Sequence, residues 1–150
     1  MTEFILGVLA ACLGSFGFSF LFRVDLKYIM WGVLGGALNW AAYLAVLAVT
    51  DGIFASALAG AIVATFYAEL LAYIFRTPAT VFLLPSLIPL VPGGSLYYTM
   101  SNLITKNYDV AAVKGMQTAE VMLGTSLGVV MASLVVYAVR HVVAQKKKNK

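Results

Sequence analysis

The chain has 150 residues, of which 62% are hydrophobic and 11% are charged, and its formal net charge is +4. A water-soluble domain normally carries about 25% charged residues, so this composition excludes a soluble globular protein. It predicts an all-α integral membrane protein, with a single transmembrane domain over residues 1–150.

Apolar stretches of about 18 residues or more fill nearly the whole chain, and each is long enough to cross a bilayer core of roughly 30 Å. The connections between them are short. The pattern predicts about five transmembrane helices, with the fourth broken at a Pro/Gly motif. They lie at roughly 3–22, 28–50, 53–75, 79–105 and 116–140.

The basic residues are distributed unevenly between the two sides of this predicted bundle. With five crossings, the side that holds the C-terminus has eight of them, and residues 145–150 form a basic tail. The other side has only Lys106 and Lys114. The positive-inside rule then places the N-terminus outside and the C-terminus in the cytoplasm. A re-entrant fourth segment would give each side five basic residues, so the charges favour a crossing.

The fourth stretch contains Pro85, Pro89 and Pro92, followed by Gly93 and Gly94. Proline has no N–H, so these prolines remove the donors expected for the carbonyls of residues 81, 85 and 88. An unpaired carbonyl in lipid costs several kcal/mol, so such a break survives only against protein or a polar cavity. The motif therefore indicates either a substrate site or a packing kink against a neighbouring helix.

Beyond the break, Gly93, Gly94 and Ser95 precede a new helical piece predicted to run from Leu96 to Ile104. Its first amides and the positive end of its dipole suit a carboxylate, whereas carbonyls freed by the prolines suit a cation or an ammonium group. Ser95 either contacts the substrate or caps the helix.

Glu69 is the acidic residue placed deepest inside a predicted span, and Arg76 follows about 10 Å further along the helix axis. A carboxylate in the membrane is a functional candidate, either as a proton carrier or as the counter-charge of a substrate amine. The alternative is a structural role, in which Glu69 bonds to Tyr73 or pairs with a basic group on another helix.

Small residues recur at about every fourth position on two helices, a spacing that lets helix backbones approach closely. The small residues are Gly32 and Gly36 on the second helix, with Asn39 on the same face, and Gly124, Gly128 and Ala132 on the fifth, with Glu120 on the same face. Asn39 and Glu120 are polar groups at depths where a partner or a wet cavity is needed, so each either lines a site or has a structural partner.

Other chemistries lack the residues that they require. No His, Cys and carboxylate set has metal-ligand spacing, and no phosphate-binding glycine loop is present. We therefore expect no metal, no cofactor, no nucleic-acid partner and no enzymatic activity.

The segment Arg76-Thr-Pro-Ala-Thr80, followed by Pro85-Ser-Leu-Ile-Pro89-Leu-Val-Pro92-Gly-Gly-Ser-Leu-Tyr97, resembles the signature of the threonine/serine exporter family, and more narrowly its small subunit. The resemblance implies a subunit of an ion-gradient-driven antiporter in the bacterial inner membrane. Its substrates would be small hydrophilic metabolites, either threonine and serine or a dicarboxylate such as succinate. A larger subunit of the same family, or a homo-oligomer, is the implied partner within the lipid bilayer.

The residue patterns and the resemblance together predict two sets of site residues. The substrate-binding set is Asn39, Pro89, Pro92, Gly93, Gly94, Ser95 and Tyr97. The set for proton or charge coupling is Glu69, Arg76 and Glu120. A different class of function stays open, in which the chain is a non-transporting scaffold that stabilises a larger partner through its glycine faces.

Overall fold

The computed structural model describes the backbone of residues 2–148 and the side chains of residues 5–142 and 145. The regular structure of this part is entirely helical, which confirms the predicted all-α class. The helices are α1 (Thr2–Leu21), α2 (Leu26–Thr50), α3 (Ile53–Phe75), α4 (Thr80–Leu87), α5 (Gly93–Ile104) and α6 (Tyr108–Lys148), with a 3₁₀ turn at Ile88–Leu90 between α4 and α5.

Length and apolar composition identify the helices that can cross a membrane. Among the described residues, α2, α3 and α6 each qualify alone. The segments Thr80–Leu90 and Gly93–Ile104 qualify together as a fourth crossing, bent by 47°. The stretch Ile5–Leu21 of α1 is a shorter apolar helix. The chain is therefore a multi-pass membrane protein, and its fourth predicted span is broken.

Four of the turns between helices begin at a residue with positive φ that is not glycine. Arg23, Asp51, Arg76 and Lys106 have φ angles between 51° and 61°. At Arg76 this conformation lets the next amide, that of Thr77, donate to the carbonyl of Ala72 at 3.1 Å. Each left-handed residue lies within two positions of the end of a helix, so the connections are as short as the sequence predicted.

The helices α1, α2 and α3 pack side by side, and α4 lies in the groove that they form. An aromatic cluster holds the first turn of α4 in this groove. Phe82 is fully buried, and its ring centre lies 5.3 Å from that of Tyr28. Tyr28 also contacts Phe75, at the end of α3, with 5.5 Å between the ring centres.

The small residues of α6 pack against α3, as their spacing predicted. A Cβ atom at Gly124 would lie 2.6 Å from the carbonyl oxygen of Phe54, and one at Gly128 would lie 2.6 Å from that of Leu58. Only glycine permits so close an approach. The two pairs advance together along the chain, so α6 runs parallel to α3.

The fifth predicted helix, at 116–140, is too short at both ends. Residues such as Lys114 predicted a polar loop, but the helix already begins at Tyr108. The start is helical because α5 packs against it, with Gly115 beside Thr99, and because Lys114 Nζ donates to Gln117 at 3.0 Å. At the other end the backbone is helical through Lys148, so residues 145–148 of the predicted tail continue α6. The rest of the predicted tail at 145–150 and its lysine side chains lie outside the described residues.

The register with α3 shows how far α6 extends past it. Gly124 packs between Phe54 and Leu58, and α3 begins at Ile53, so most of the stretch 108–123, which is about 24 Å long, extends past the start of α3. Here α6 contacts α5, in which no residue is buried. We call α5 together with residues 108–123 the α5–α6 arm.

Candidate functional site

The helix break is narrower than three prolines predicted. Pro85 lies inside α4 and is buried, so it does not interrupt the helix. The backbone becomes extended only at Val91, with φ −68° and ψ 117°, and α5 begins at Gly93 rather than at Leu96. The interruption is therefore confined to Val91 and Pro92, because the segment before them tightens into a 3₁₀ turn instead of unfolding.

This 3₁₀ turn pairs two of the three carbonyls that the prolines were expected to free. The Ile88 amide donates to the carbonyl of Pro85, and the Val91 amide donates to the carbonyl of Ile88 at 3.0 Å. The same i→i−3 pattern would assign the amide of residue 89 to the carbonyl of Ser86, but Pro89 has no N–H. Asn39 replaces it, since its Nδ2 donates to the Ser86 carbonyl at 2.7 Å.

Asn39 belongs to a group of buried polar side chains from α1, α2 and α4. We call Ser15, Asn39 and Ser86 the mid-bundle polar cluster, and each is 0% exposed. The Oδ1 atom of Asn39 and the Oγ atom of Ser15 have no hydrogen-bond partner among the described residues. The cluster therefore contains polar atoms without hydrogen bonds inside the bundle, and burying each of them lowers the stability of the fold.

A small groove lies beside the cluster, between α1, α2 and the 3₁₀ turn. Its volume is about 270 Å³. It is lined by Gly7, Ala10, Ala11, Gly14, Trp40, Ile88 and Pro89. The indole Nε1 of Trp40 is buried without a partner among the described residues, 2.6 Å from where a Cβ atom of Gly7 would lie, so one N–H donor stays unused beside the groove.

The residues around the start of α5 lie elsewhere. A Cβ atom at Gly93 or Gly94 would meet nothing within 4 Å, and Tyr97 is 68% exposed. Ser95 Oγ donates to the carbonyl of Pro92 at 3.2 Å and does not cap the helix amides. The predicted substrate-binding set is thus divided: Asn39 and Pro89 line the interior, whereas the residues that follow the break lie on the surface of this chain.

Glu69 has a partner that the sequence did not identify. Its Oε2 lies 2.9 Å from Nη2 of Arg140 on α6, which also donates to the Glu69 backbone carbonyl at 3.4 Å. Pairing with a basic group on another helix was one of the alternatives left open for Glu69. In the sequence, Arg140 is one of the basic residues on the C-terminal side. Its pairing with Glu69 follows only from the register between α3 and α6.

The Glu69–Arg140 pair lies between two grooves, and both of its members line each of them. One groove, of about 460 Å³, follows α6 past Ser133 towards Val129. The other, of about 1190 Å³, opens at the turn between α3 and α4, where Arg76 and Thr77 line it. The structure therefore places Glu69, Arg76 and Arg140 around one polar opening.

Glu120 is partly buried, one turn before Gly124, and makes no ion pair with a residue that the structure describes. Its coupling role stays a prediction. Within the described ranges, no three His, Cys, Asp or Glu residues come close enough together to hold a metal ion.

A multi-pass helical bundle with a proline-broken helix and polar atoms at its centre has the architecture of a membrane transporter. The comparison with protein families then specifies the kind. Residues 7–135 match the family described as Threonine/Serine exporter, ThrE. The chain belongs to this family, and its role is exporter-type transport. The comparisons with curated proteins and with solved structures gave no match.

Proposed function

We propose that this chain is a subunit of a secondary exporter for small hydrophilic metabolites, with L-threonine and L-serine as its first candidates and a dicarboxylate such as succinate as the second. The observation that carries the proposal is the family match over residues 7–135, which includes the broken helix, the mid-bundle polar cluster and Glu69. An ion gradient drives the export as antiport.

In this proposal the break supports movement of the solute. Val91 and Pro92 join a packed half-helix to an exposed one, and a Cβ atom added at Gly93 or Gly94 would meet no neighbour within 4 Å. The amide of Gly93 already donates to the carbonyl of Val91 at 2.8 Å. Along its path the carboxylate of the solute contacts the amides of Gly94 and Ser95, where the helix dipole favours an anion. Tyr97, one turn along α5, lies beside it.

The exposed α5–α6 arm is the reason to include a partner. A substrate path needs walls, and α5 has no buried residue in this chain. A larger subunit of the family, or a second copy of the chain, covers the arm and completes the path.

Ionisable residues provide the coupling. Glu69 and Arg76 line the opening at the α3–α4 turn, and Glu120 lies on α6 towards the opposite end of α3. We place the N-terminus outside the bacterial inner membrane and the C-terminus inside, since the basic residues gather on the C-terminal side. The Glu69 opening is then on the cytoplasmic side, where an exporter loads its solute.

A scaffold function is the second candidate, favoured by the exposed helix α5. The glycines of α6 do not provide its partner surface, because Gly124 and Gly128 already pack against α3 of the same chain. Efflux from liposomes separates the two. Labelled L-threonine, L-serine and succinate are preloaded, and their release is followed with the chain alone, the larger family member alone, and both together.

The exporter proposal predicts release that needs this chain and responds to an imposed ion gradient, and that falls when Glu69 is changed to Gln. If the larger member alone reaches the full rate, and this chain only raises the amount of folded partner, the scaffold is the function.

A further inference from the structure

The Glu69–Arg140 pair combines two properties that a purely structural salt bridge does not need. Its members lie on different helices, and the side chain of Glu69 is 20% exposed while that of Arg140 is 54% exposed. Each is also reachable from grooves on both sides of the pair. A solute that enters the larger groove at Arg76 therefore meets this pair before it reaches the smaller groove along α6.

The chemistry of the pair is complementary to one class of solute. A free α-amino acid carries an ammonium and a carboxylate on neighbouring atoms, so it presents both charges to one small region. Glu69 accepts hydrogen bonds from the ammonium, and the guanidinium of Arg140 donates to the carboxylate, two charge-assisted contacts of the stronger kind. When such a solute enters, it exchanges one ion pair for two, and neither protein charge is left alone.

The same charges disfavour other solutes. A dicarboxylate has no cation for Glu69 and would place a second negative charge beside it, whereas a simple amine would leave Arg140 without an anion. Arg76 lines the larger groove and adds positive charge at its entrance, which attracts the carboxylate end first.

We propose that Glu69 and Arg140 form the recognition site for a zwitterionic α-amino acid, and that their salt bridge is the closed, empty state of that site. This inference rests on the proposed function as an exporter and assigns the residues that recognise its amino-acid substrate. The pair separates the two grooves when it is closed, and the amino acid connects them by inserting between its members.

The test uses three probes that differ by one charged group. L-Threonine carries both charges, 3-hydroxybutyrate lacks the ammonium, and L-threonine methyl ester lacks the carboxylate. Binding of each to the purified full-length chain in lipid nanodiscs is measured by competition with labelled L-threonine and by calorimetry. We expect the wild type to bind L-threonine about tenfold or more tightly than either analogue, because each analogue loses one charged hydrogen bond.

Two variants then assign each charge to its residue. Glu69→Gln keeps an oxygen acceptor for Arg140, so α3 and α6 stay connected; L-threonine binding falls about tenfold or more, and 3-hydroxybutyrate binding does not fall. Arg140→Gln weakens L-threonine in the same way and leaves the methyl ester unchanged. Asp51→Asn and Arg23→Gln, at exposed helix ends, leave all three affinities unchanged.

Two results would overturn the inference. One is equal weakening of all three probes in both variants, which would show that the pair is only a tie between α3 and α6. The other is equal binding of the three probes, or no binding of any of them, by the wild-type protein. This measurement does not depend on whether a variant folds. If ion-driven efflux of succinate is observed together with either result, the proposed exporter function still holds. Failure of the recognition site can therefore be distinguished from failure of the exporter proposal.

Discussion

The two halves of the broken helix differ in how they meet the rest of the molecule. The half before the break packs into the bundle, with Phe82, Pro85, Ser86 and Leu90 buried. The half after it, α5, has no buried residue. The difference shows that Pro85 and Pro89 belong to the packed half and the two glycines to the free half, with Pro92 at the break between them, so a single Pro/Gly motif serves two purposes.

Close packing explains why the first half tolerates its prolines. A Cβ atom at Gly32 would lie 3.0 Å from Cβ of Pro85, and one at Gly36 would lie 3.5 Å from Cγ of Pro89. Pro85 of α4 and Pro89 of the 3₁₀ turn thus each lie against a glycine of α2. Asn39 supplies the hydrogen bond that Pro89 cannot, so this half loses little by being irregular.

The largest effect is expected where α2 and α4 touch. A Cβ atom at Gly35 would lie 2.9 Å from Cβ of Ser86 and 2.9 Å from Cε1 of Tyr67, so Gly35→Ala forces the helices apart. We expect a loss of about 1–3 kcal/mol in the free energy of unfolding, measured by denaturation in mixed micelles. Gly94→Ala is the matched control, since its Cβ meets nothing within 4 Å, and we expect no loss of stability. Equal losses of unfolding free energy in the two variants would contradict the distinction between the packed and the exposed half of the broken helix.

A second effect is expected at the bond that replaces the missing amide. Asn39→Leu leaves the buried carbonyl of Ser86 without its donor, and we expect a loss of about 1–3 kcal/mol in the same assay. Asn102 is the control, because its Nδ2 donates to Tyr98 within α5 at 2.7 Å, in an exposed setting. Asn102→Leu should have little effect, and a loss as large as that of Asn39→Leu would contradict the account.

The smallest effect is expected for Pro89→Ala combined with Asn39→Leu, and it tests most closely how the packed half tolerates its proline. Pro89→Ala restores an amide at the position that the 3₁₀ pattern assigns to the Ser86 carbonyl, so this variant should rescue part of the defect of Asn39→Leu. We expect recovery of about 1 kcal/mol in a double-mutant cycle on the free energy of unfolding. Strictly additive losses would show that the proline and the amide act independently.

The sequence predicts the class of the fold and the location of its irregularity, because apolar length and the Pro/Gly motif are local signals. It also predicts the close packing of Gly124 and Gly128. It overestimates the break, because the 3₁₀ turn that pairs the carbonyls of Pro85 and Ile88 depends on donors three residues away rather than four.

Contacts between distant helices are what the sequence does not reveal. Arg140 lies 71 positions after Glu69, and no spacing rule connects two parallel helices separated by a third segment. The helical start of α6 at Tyr108 depends likewise on α5 beside it. The turns at Arg23, Asp51, Arg76 and Lys106 lack the glycine that would have marked them.

The central claim is that the interruption at Val91 and Pro92 serves transport and not the packing of this chain. The most direct test replaces Pro92, Gly93 and Gly94 together by Ala, which removes the break at positions where an added Cβ at either glycine meets no neighbour. We predict that ion-driven efflux of labelled L-threonine from liposomes is lost while the free energy of unfolding does not fall. Efflux at the wild-type rate from a protein of wild-type stability would contradict the claim.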